Sequence, residues 1–233
     1  MEKDMTDDKN TFSALLAVVQ ETGQLYDDLV YIGGIAVYLH SVNHEQTRDL
    51  AEATHDADFY ISLANLGDLR NIEELTVNKR LSKQEFHKSG FAFDVYAERQ
   101  SDLPVPYATV AAYAVEYDGV KVAALEELLV LKLAAAVDRH ASEHGRKDAK
   151  DTIRILILAN ALDFDAERAI AFMSDKHFER LSKIVEGPEF MSLAQGNAKV
   201  ARGFREMATK TFEAIKSALD EPAPPGRVRW RPV

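Results

Sequence analysis

Apolar side chains recur at helical spacing through residues 11–25, where Phe12, Leu15, Leu16 and Val19 share a face, so this segment predicts an amphipathic helix. Leu29–Ile32 is a short β-prone run that ends in Gly33-Gly34, and Ile35–His40 continues as a helix. The opening unit is therefore strand, Gly-Gly, helix. A polar stretch over 41–53 reads as a loop. Residues 56–63 (DADFYISL) alternate into a second strand, and Asn65–Asn71 suits a short helix. Thr76-Val77 and Gln84–Phe86 suit strands, and Ser89-Gly90 marks a turn. FAFDVYAE follows as a third clear strand, with period two at Phe91, Phe93 and Val95. Pro104 and Pro106 break the chain, and Asp118-Gly119 between apolar segments is a hairpin signal.

The texture changes after residue 123. ALEELLVLKLAAAVDRH and RKDAKDTIRILILANAL are helices by propensity, with Gly145 expected to end the first. Everything from 164 to 219 is expected to be helical, interrupted at Gly187-Pro188. The pattern predicts an α+β chain: a mixed sheet with flanking helices over 1–123, a helical bundle over 124–220 and a mobile Pro/Arg tail over 221–233. No internal repeat is visible.

Composition narrows the class without naming a function. At 46 % hydrophobic and 28 % charged, the chain has ample material for a core. No apolar run approaches the ~20 residues of a membrane span, and the polar, acidic start is unlike a signal peptide. With no cysteine there is no disulfide, thiolate metal site or thiol nucleophile. These features predict a soluble, cytoplasmic protein. Net charge is −10, divided unevenly: −14 through residue 175 and +4 beyond it. Nonspecific nucleic-acid binding needs a positive surface, so only the C-terminal part, with Lys199, Arg202 and Arg205, offers one. Solvated helix faces account for the same asymmetry equally well.

The chemistry concentrates in Gly33-Gly34, Asp56, Asp58 and Asp94. Residues i and i+2 of a strand point the same way, so Asp56 and Asp58 share a face. Asp94 lies mid-strand among apolar neighbours, a costly place for a lone charge. Converging carboxylates raise one another's pKa unless a cation neutralises them, and hard oxygen donors without sulfur favour Mg²⁺. A Gly-Gly turn opening a helix lets backbone N–H groups approach a phosphate. Together the pieces suit one or two ions clamping an in-line phosphoryl displacement. His40, His44 and His55 fit no compact metal motif, and His140 with His144 lacks an acidic third ligand.

The segments YIGGIAVYL, THDADFYI and FAFDVYAE resemble the polymerase-β-type nucleotidyltransferase superfamily. LEELLVLKLAAAVDRH followed by GRKDAKDTIRIL resembles the Lys-then-Asp segment of bacterial AbiEii-type nucleotidyltransferases, several of which are toxins of toxin–antitoxin or phage-defence systems. The likeness runs from about residue 29 to 158. It implies a nucleotidyltransferase fold with its catalytic domain over 1–123, and Mg²⁺-dependent transfer of a nucleotide from an NTP to a hydroxyl. It also implies an acceptor such as tRNA or another RNA 3′ end, and a cognate antitoxin protein as partner. Residue by residue, it implies roles for Asp56 and Asp58 in metal binding; the convergence of the three acids adds Asp94 as a further ligand and as the candidate base. Gly33 and Gly34 would bind the nucleotide, Lys132 its phosphates, and Asp148 (or Asp151) would complete the site. The 21 residues between Gly34 and Asp56 exceed the superfamily's short gap, placing an inserted loop over 41–53.

Each feature also has a plainer reading. Gly-Gly can be a packing turn, Asp56 and Asp58 solvated strand-edge acids, and Asp94 the partner of a buried cation. At 100° per residue, Leu125, Leu128, Leu129, Lys132, Ala136 and Arg139 form one stripe, with Glu127 and Asp138 opposite, toward solvent. Lys132 on that stripe needs an anion: an NTP phosphate in a cleft between domains, or Asp148 or Asp151, expected in the first turn of the next helix. The competing function is a catalytically inactive module of the same fold that binds a nucleotide or a protein.

Overall fold

In the computed structural model the chain is described over residues 2–72, 76–78, 83–139 and 141–220. It divides into two compact units. One runs from the N-terminus to Leu39, resumes at Glu52 and ends at Ala124. The other takes His40–Ala51 and continues from Leu125. The 41–53 segment, expected to be a loop inserted in the first unit, therefore belongs largely to the second. It contains the end of a helix and a short 3₁₀ turn, Arg48–Leu50.

The first unit is built on a seven-stranded mixed sheet. Its strands are β1 (Val30–Ile32), β2 (Asp56–Ile61), β3 (Thr76–Asn78), β4 (Lys83–Lys88), β5 (Phe91–Ala97), β6 (Val115–Tyr117) and β7 (Val120–Val122), in spatial order 3-4-5-2-1-7-6. β2 pairs parallel with β5 and β1 parallel with β7; the remaining pairs are antiparallel. The β4–β5 and β6–β7 turns each have positive φ at two successive residues, Ser89-Gly90 and Asp118-Gly119, the twist that joins adjacent strands tightly.

Period-two patterning gives the sheet two unlike faces. Tyr31, Phe59, Phe86 and Phe93 meet on one of them, with Phe86 and Phe93 stacked at 5.0 Å and Phe59 edge-on to Phe86 at 6.2 Å. All four rings are buried, and burial of that much aromatic surface is the main driving force for the sheet. Helix α1 (Glu2–Leu25) starts well before the predicted residue 11. The Tyr31 hydroxyl donates to its Val19 carbonyl (2.9 Å), satisfying a polar tip in the core. Three further helices complete the elements that begin in this unit: α2 (Gly33–Val42), α3 (Leu63–Ile72) and α4 (Tyr107–Ala112). Pro106 stands at the N-cap of α4, so the proline starts a helix as well as breaking the chain.

The second unit is helical, with no strand among its described residues. Its helices are α5 (Leu125–Asp138), α6 (Glu143–Ala161), α7 (Ala166–Ile170), α8 (Asp175–Glu186), α9 (Glu189–Leu193) and α10 (Ala198–Asp220). Gly187-Pro188 separates α8 from α9 as expected. Gly145 does not terminate a helix: it lies in the first turn of α6, donating its N–H to the Ser142 cap (3.1 Å). Asp148 and Asp151 consequently sit one to two turns deeper than expected. His140 and the 221–233 tail lie outside the described residues.

The two-sided reading of α5 also needs correction. Nearly all of the helix is buried, and Glu127, expected toward solvent, is only 1 % exposed. Arg168 of α7 holds it there, with Nε 3.0 Å from Glu127 Oε1, and also pairs with Glu126. Neither Glu127 oxygen has a hydrogen bond of good geometry, and burial, only partly offset by Arg168, pushes its carboxyl up to about 7. The folded chain therefore holds this proton more tightly than the unfolded chain. Stability should fall as pH rises from about 4.5 toward 7 and level off above it. Glu127→Gln should flatten that slope and stabilise the chain at pH 8, by on the order of 1–2 kcal/mol. Urea unfolding of both proteins at pH 5 and pH 8 measures this. Equal slopes would show that Glu127 is ionised throughout.

Candidate active site

The glycine turn and the acids lie together in the first unit, positioned by strand register. Ile32 of β1 is opposite Asp58 of β2, so the chain leaves β1 beside that aspartate. Gly33 has φ +66°, and a Cβ there would lie 2.1 Å from Asp58 Oδ2. Both its backbone and its missing side chain are thus required. A Cβ on Gly34 would meet the Thr54 hydroxyl at 3.0 Å. That same hydroxyl donates to Asp56 Oδ1 at 2.6 Å. Thr54 ties the turn to the first aspartate, a role that no spacing motif suggested.

Asp56, Asp58 and Asp94 do occupy one face. Asp58 is directly opposite Asp94 across the parallel β2–β5 pair, and Asp56 is two residues along the same strand. This is the sheet face opposite the aromatic cluster. Glu85 of β4, absent from the expected set, lies opposite Asp94 on its other side. A row of three carboxylates therefore crosses β4, β5 and β2. The sequence signal for Glu85 was the alternation of β4 itself, in which Gln84 and Phe86 face inward while Lys83, Glu85 and His87 face the acids.

Asp94 is ion-paired with Lys83, two residues before Glu85 on β4. Burial pushes the Asp94 carboxyl above the usual aspartate range, Lys83 draws it back down, and Glu85 and Asp56 add to the rise. The donors suit magnesium in kind, since all are hard carboxylate oxygens. Among the described residues, however, no group of three His, Asp or Glu side chains is arranged to hold a metal ion. Asp56 and Asp58 supply two such donors on one strand face. Asp94, engaged with Lys83, is not set as a third ligand.

Lys132, Asp148 and Asp151 form a separate network within the helical unit. Lys132 Nζ lies 2.7 Å from Asp151 Oδ2 and 3.6 Å from Asp148 Oδ1. Arg154 Nη1 holds the other Asp151 oxygen at 2.7 Å, and its Nε donates to the Leu50 carbonyl at 2.7 Å. Arg139, just past the C-terminal end of α5, reaches Asp148 with its Nη2 at 2.9 Å. Burial would raise the Asp151 carboxyl, but Lys132 and Arg154 outweigh it and hold it below the ordinary aspartate range. Lys132, Arg139 and Arg154 thus surround the two buried acids, with Arg139 half exposed. On α10, Lys199 and Arg202 are exposed. Arg205 instead donates to the Gly187 carbonyl (2.7 Å) and covers the Phe190 ring, anchoring the α8–α9 break.

The sequence has no match among protein-family models and no significant match among curated proteins. Solved structures do resemble the fold. An antigenic nucleotidyltransferase-like protein from Paracoccidioides brasiliensis superposes with a TM-score of 0.50 at 18 % identity, covering 78 % of this chain and 92 % of that one. The JHP933 protein from Helicobacter pylori gives 0.48 at 14 % identity (92 % and 98 % coverage). The Megavirus polyadenylate synthase gives 0.47 at 12 % identity (93 % and 50 %). At 18 % identity the first of these is a likeness of fold, and it agrees with the mixed sheet, its flanking helices and the helical region that follows: the chain has an α+β fold of the nucleotidyltransferase-like kind.

Proposed function

We propose that the protein is a metal-dependent nucleotidyltransferase that moves a nucleotide from an NTP to a hydroxyl acceptor. The observation that carries this reading is the register of Asp56, Asp58 and Asp94 on one sheet face beside the Gly33-Gly34 turn. A magnesium ion held by Asp56 and Asp58 would supply charge neutralisation at the triphosphate. The open backbone of Gly33 and Gly34 would approach the phosphates. Asp94 is assigned to accept the proton of the attacking hydroxyl, and Thr54 to orient Asp56. Because positioning and electrostatics dominate phosphoryl transfer, rigid strands are a suitable mount for these groups. In the helical unit the same reading assigns Lys132 to an NTP phosphate as a point charge. Asp148 and Asp151 are assigned to orient it, and their ion pairs with Lys132 support this.

RNA is the favoured acceptor, through the exposed Lys199 and Arg202. The likeness of residues 124–158 to AbiEii-type proteins supports a toxin held in check by an antitoxin. One observation favours the alternative of an inactive nucleotide-binding module: Lys83 already neutralises Asp94. Incubation with each labelled NTP, Mg²⁺ and total tRNA separates these readings. Label on RNA, lost with EDTA, is the expected result. Label on protein would replace RNA as acceptor, and Mg²⁺-dependent NTP binding without transfer would establish the inactive module.

A further inference from the structure

We propose that Lys83 serves as the built-in cation of the third carboxylate, so that the site takes a single divalent ion rather than two. The inference rests on the nucleotidyltransferase reading and specifies its metal count. Four carboxylates share the face: Asp56 and Asp58 on β2, Asp94 on β5 and Glu85 on β4. A pair of ions would need Asp94 as a ligand, because Asp56 and Asp58 alone offer too few oxygens to hold two. The Lys83 ammonium is ion-paired with Asp94, with only 11 % of its side chain exposed. A divalent ion on the same carboxylate would sit a few ångströms from that ammonium, and like charges at such separations repel strongly away from bulk water. The lysine is also held in place. It projects from a strand paired on both sides, to β3 and to β5, where register sets its direction. Asp94 is thereby separated from metal binding, in keeping with its assignment as the base. Asp56 and Asp58 remain as the ligands of one ion.

The test counts ions directly, by titrating the protein with Mn²⁺ and following free Mn²⁺ by electron paramagnetic resonance. The wild-type chain should bind one Mn²⁺, and Asp94→Asn should also bind one, with affinity within about threefold. Lys83→Met, which frees Asp94 from its ion pair, should bind a second, whereas Lys83→Arg should keep one. Two ions on the wild-type chain, or a single ion of unchanged affinity on Lys83→Met, would overturn the proposal. If Lys83→Met fails to fold by circular dichroism, the Asp94→Asn titration decides alone: loss of the ion there makes Asp94 a ligand. Asp56→Asn separates the two levels of inference. Two ions that both depend on Asp56 would leave the nucleotidyltransferase reading standing and remove only the role of Lys83. A wild-type chain that binds no Mn²⁺, or binds it equally after Asp56→Asn, would remove both.

Discussion

Replacing Asp151 with alanine should destabilise the chain by about 3–5 kcal/mol, the usual cost of removing one partner from a buried ion pair. The carboxylate is buried and shared: Lys132 holds one oxygen and Arg154 the other, each at 2.7 Å. Without it, Lys132 and Arg154 lose the carboxylate they share, and Asp148 stands farther from Lys132, at 3.6 Å. For a chain of this length the loss corresponds to a fall in Tm of roughly 6–20 °C. The effect should also depend on pH. Because the Asp151 carboxyl is held below its ordinary value, its contribution is complete above about pH 4 and disappears only as pH falls through the depressed folded-state value. The decisive comparison is with the double substitution Asp151→Leu, Lys132→Met. Exchanging the pair for apolar groups should recover the part of the loss that comes from stranding Lys132, whereas Arg154 loses this carboxylate in either variant. A fall below about 1 kcal/mol for Asp151→Ala at pH 7 would mean that water reaches the network.

Asp58→Asn should reduce nucleotidyl transfer by on the order of 10³-fold while leaving unfolding by urea nearly unchanged. The exchange keeps the shape that fills the space beside Gly33, where Asp58 Oδ2 stands in place of a side chain. It removes one negative charge from the pair assigned to the ion. Several kilocalories of charge stabilisation in the transition state convert to about that factor, at tenfold per 1.36 kcal/mol. Initial rates of label transfer at saturating Mg²⁺ measure it. A variant retaining a tenth or more of the wild-type rate would remove Asp58 from the machinery. Loss of folding instead would show that the carboxylate holds the turn together.

What could be read in advance was mostly what is local. The alternation through Phe59 and Phe93 announced two strands with one apolar face, and it followed that Asp56, Asp58 and Asp94 would share the other. Gly-Gly after an apolar triplet announced the turn. What escaped depended on partners far away in sequence. Glu127 lies across α5 from Lys132, and periodicity sends it to solvent, but Arg168, some forty residues on, draws it inside. Lys83 gives no motif, because its meaning arises only when β4 pairs with β5 and brings it to Asp94. Gly145 resembles a stop signal until Ser142 is seen to cap the helix three residues earlier. Residues 41–53 were polar enough to read as a loop, and nothing local marks Leu50 as an acceptor for Arg154.

The Arg154–Leu50 hydrogen bond joins residues 104 positions apart. On a ribosome adding roughly 5–20 residues per second, Leu50 emerges about 5–20 s before the arginine that will satisfy its carbonyl. The strands β2 through β7 are all synthesised in that interval, and the helical unit draws on residues on both sides of them. A piece expressed from Leu125 onward would lack His40–Ala51, leaving the Arg154 guanidinium without the Leu50 carbonyl. The second unit is thus discontinuous in sequence: its hydrogen bonding closes only once Arg154 has been made, and it draws on residues 40–51.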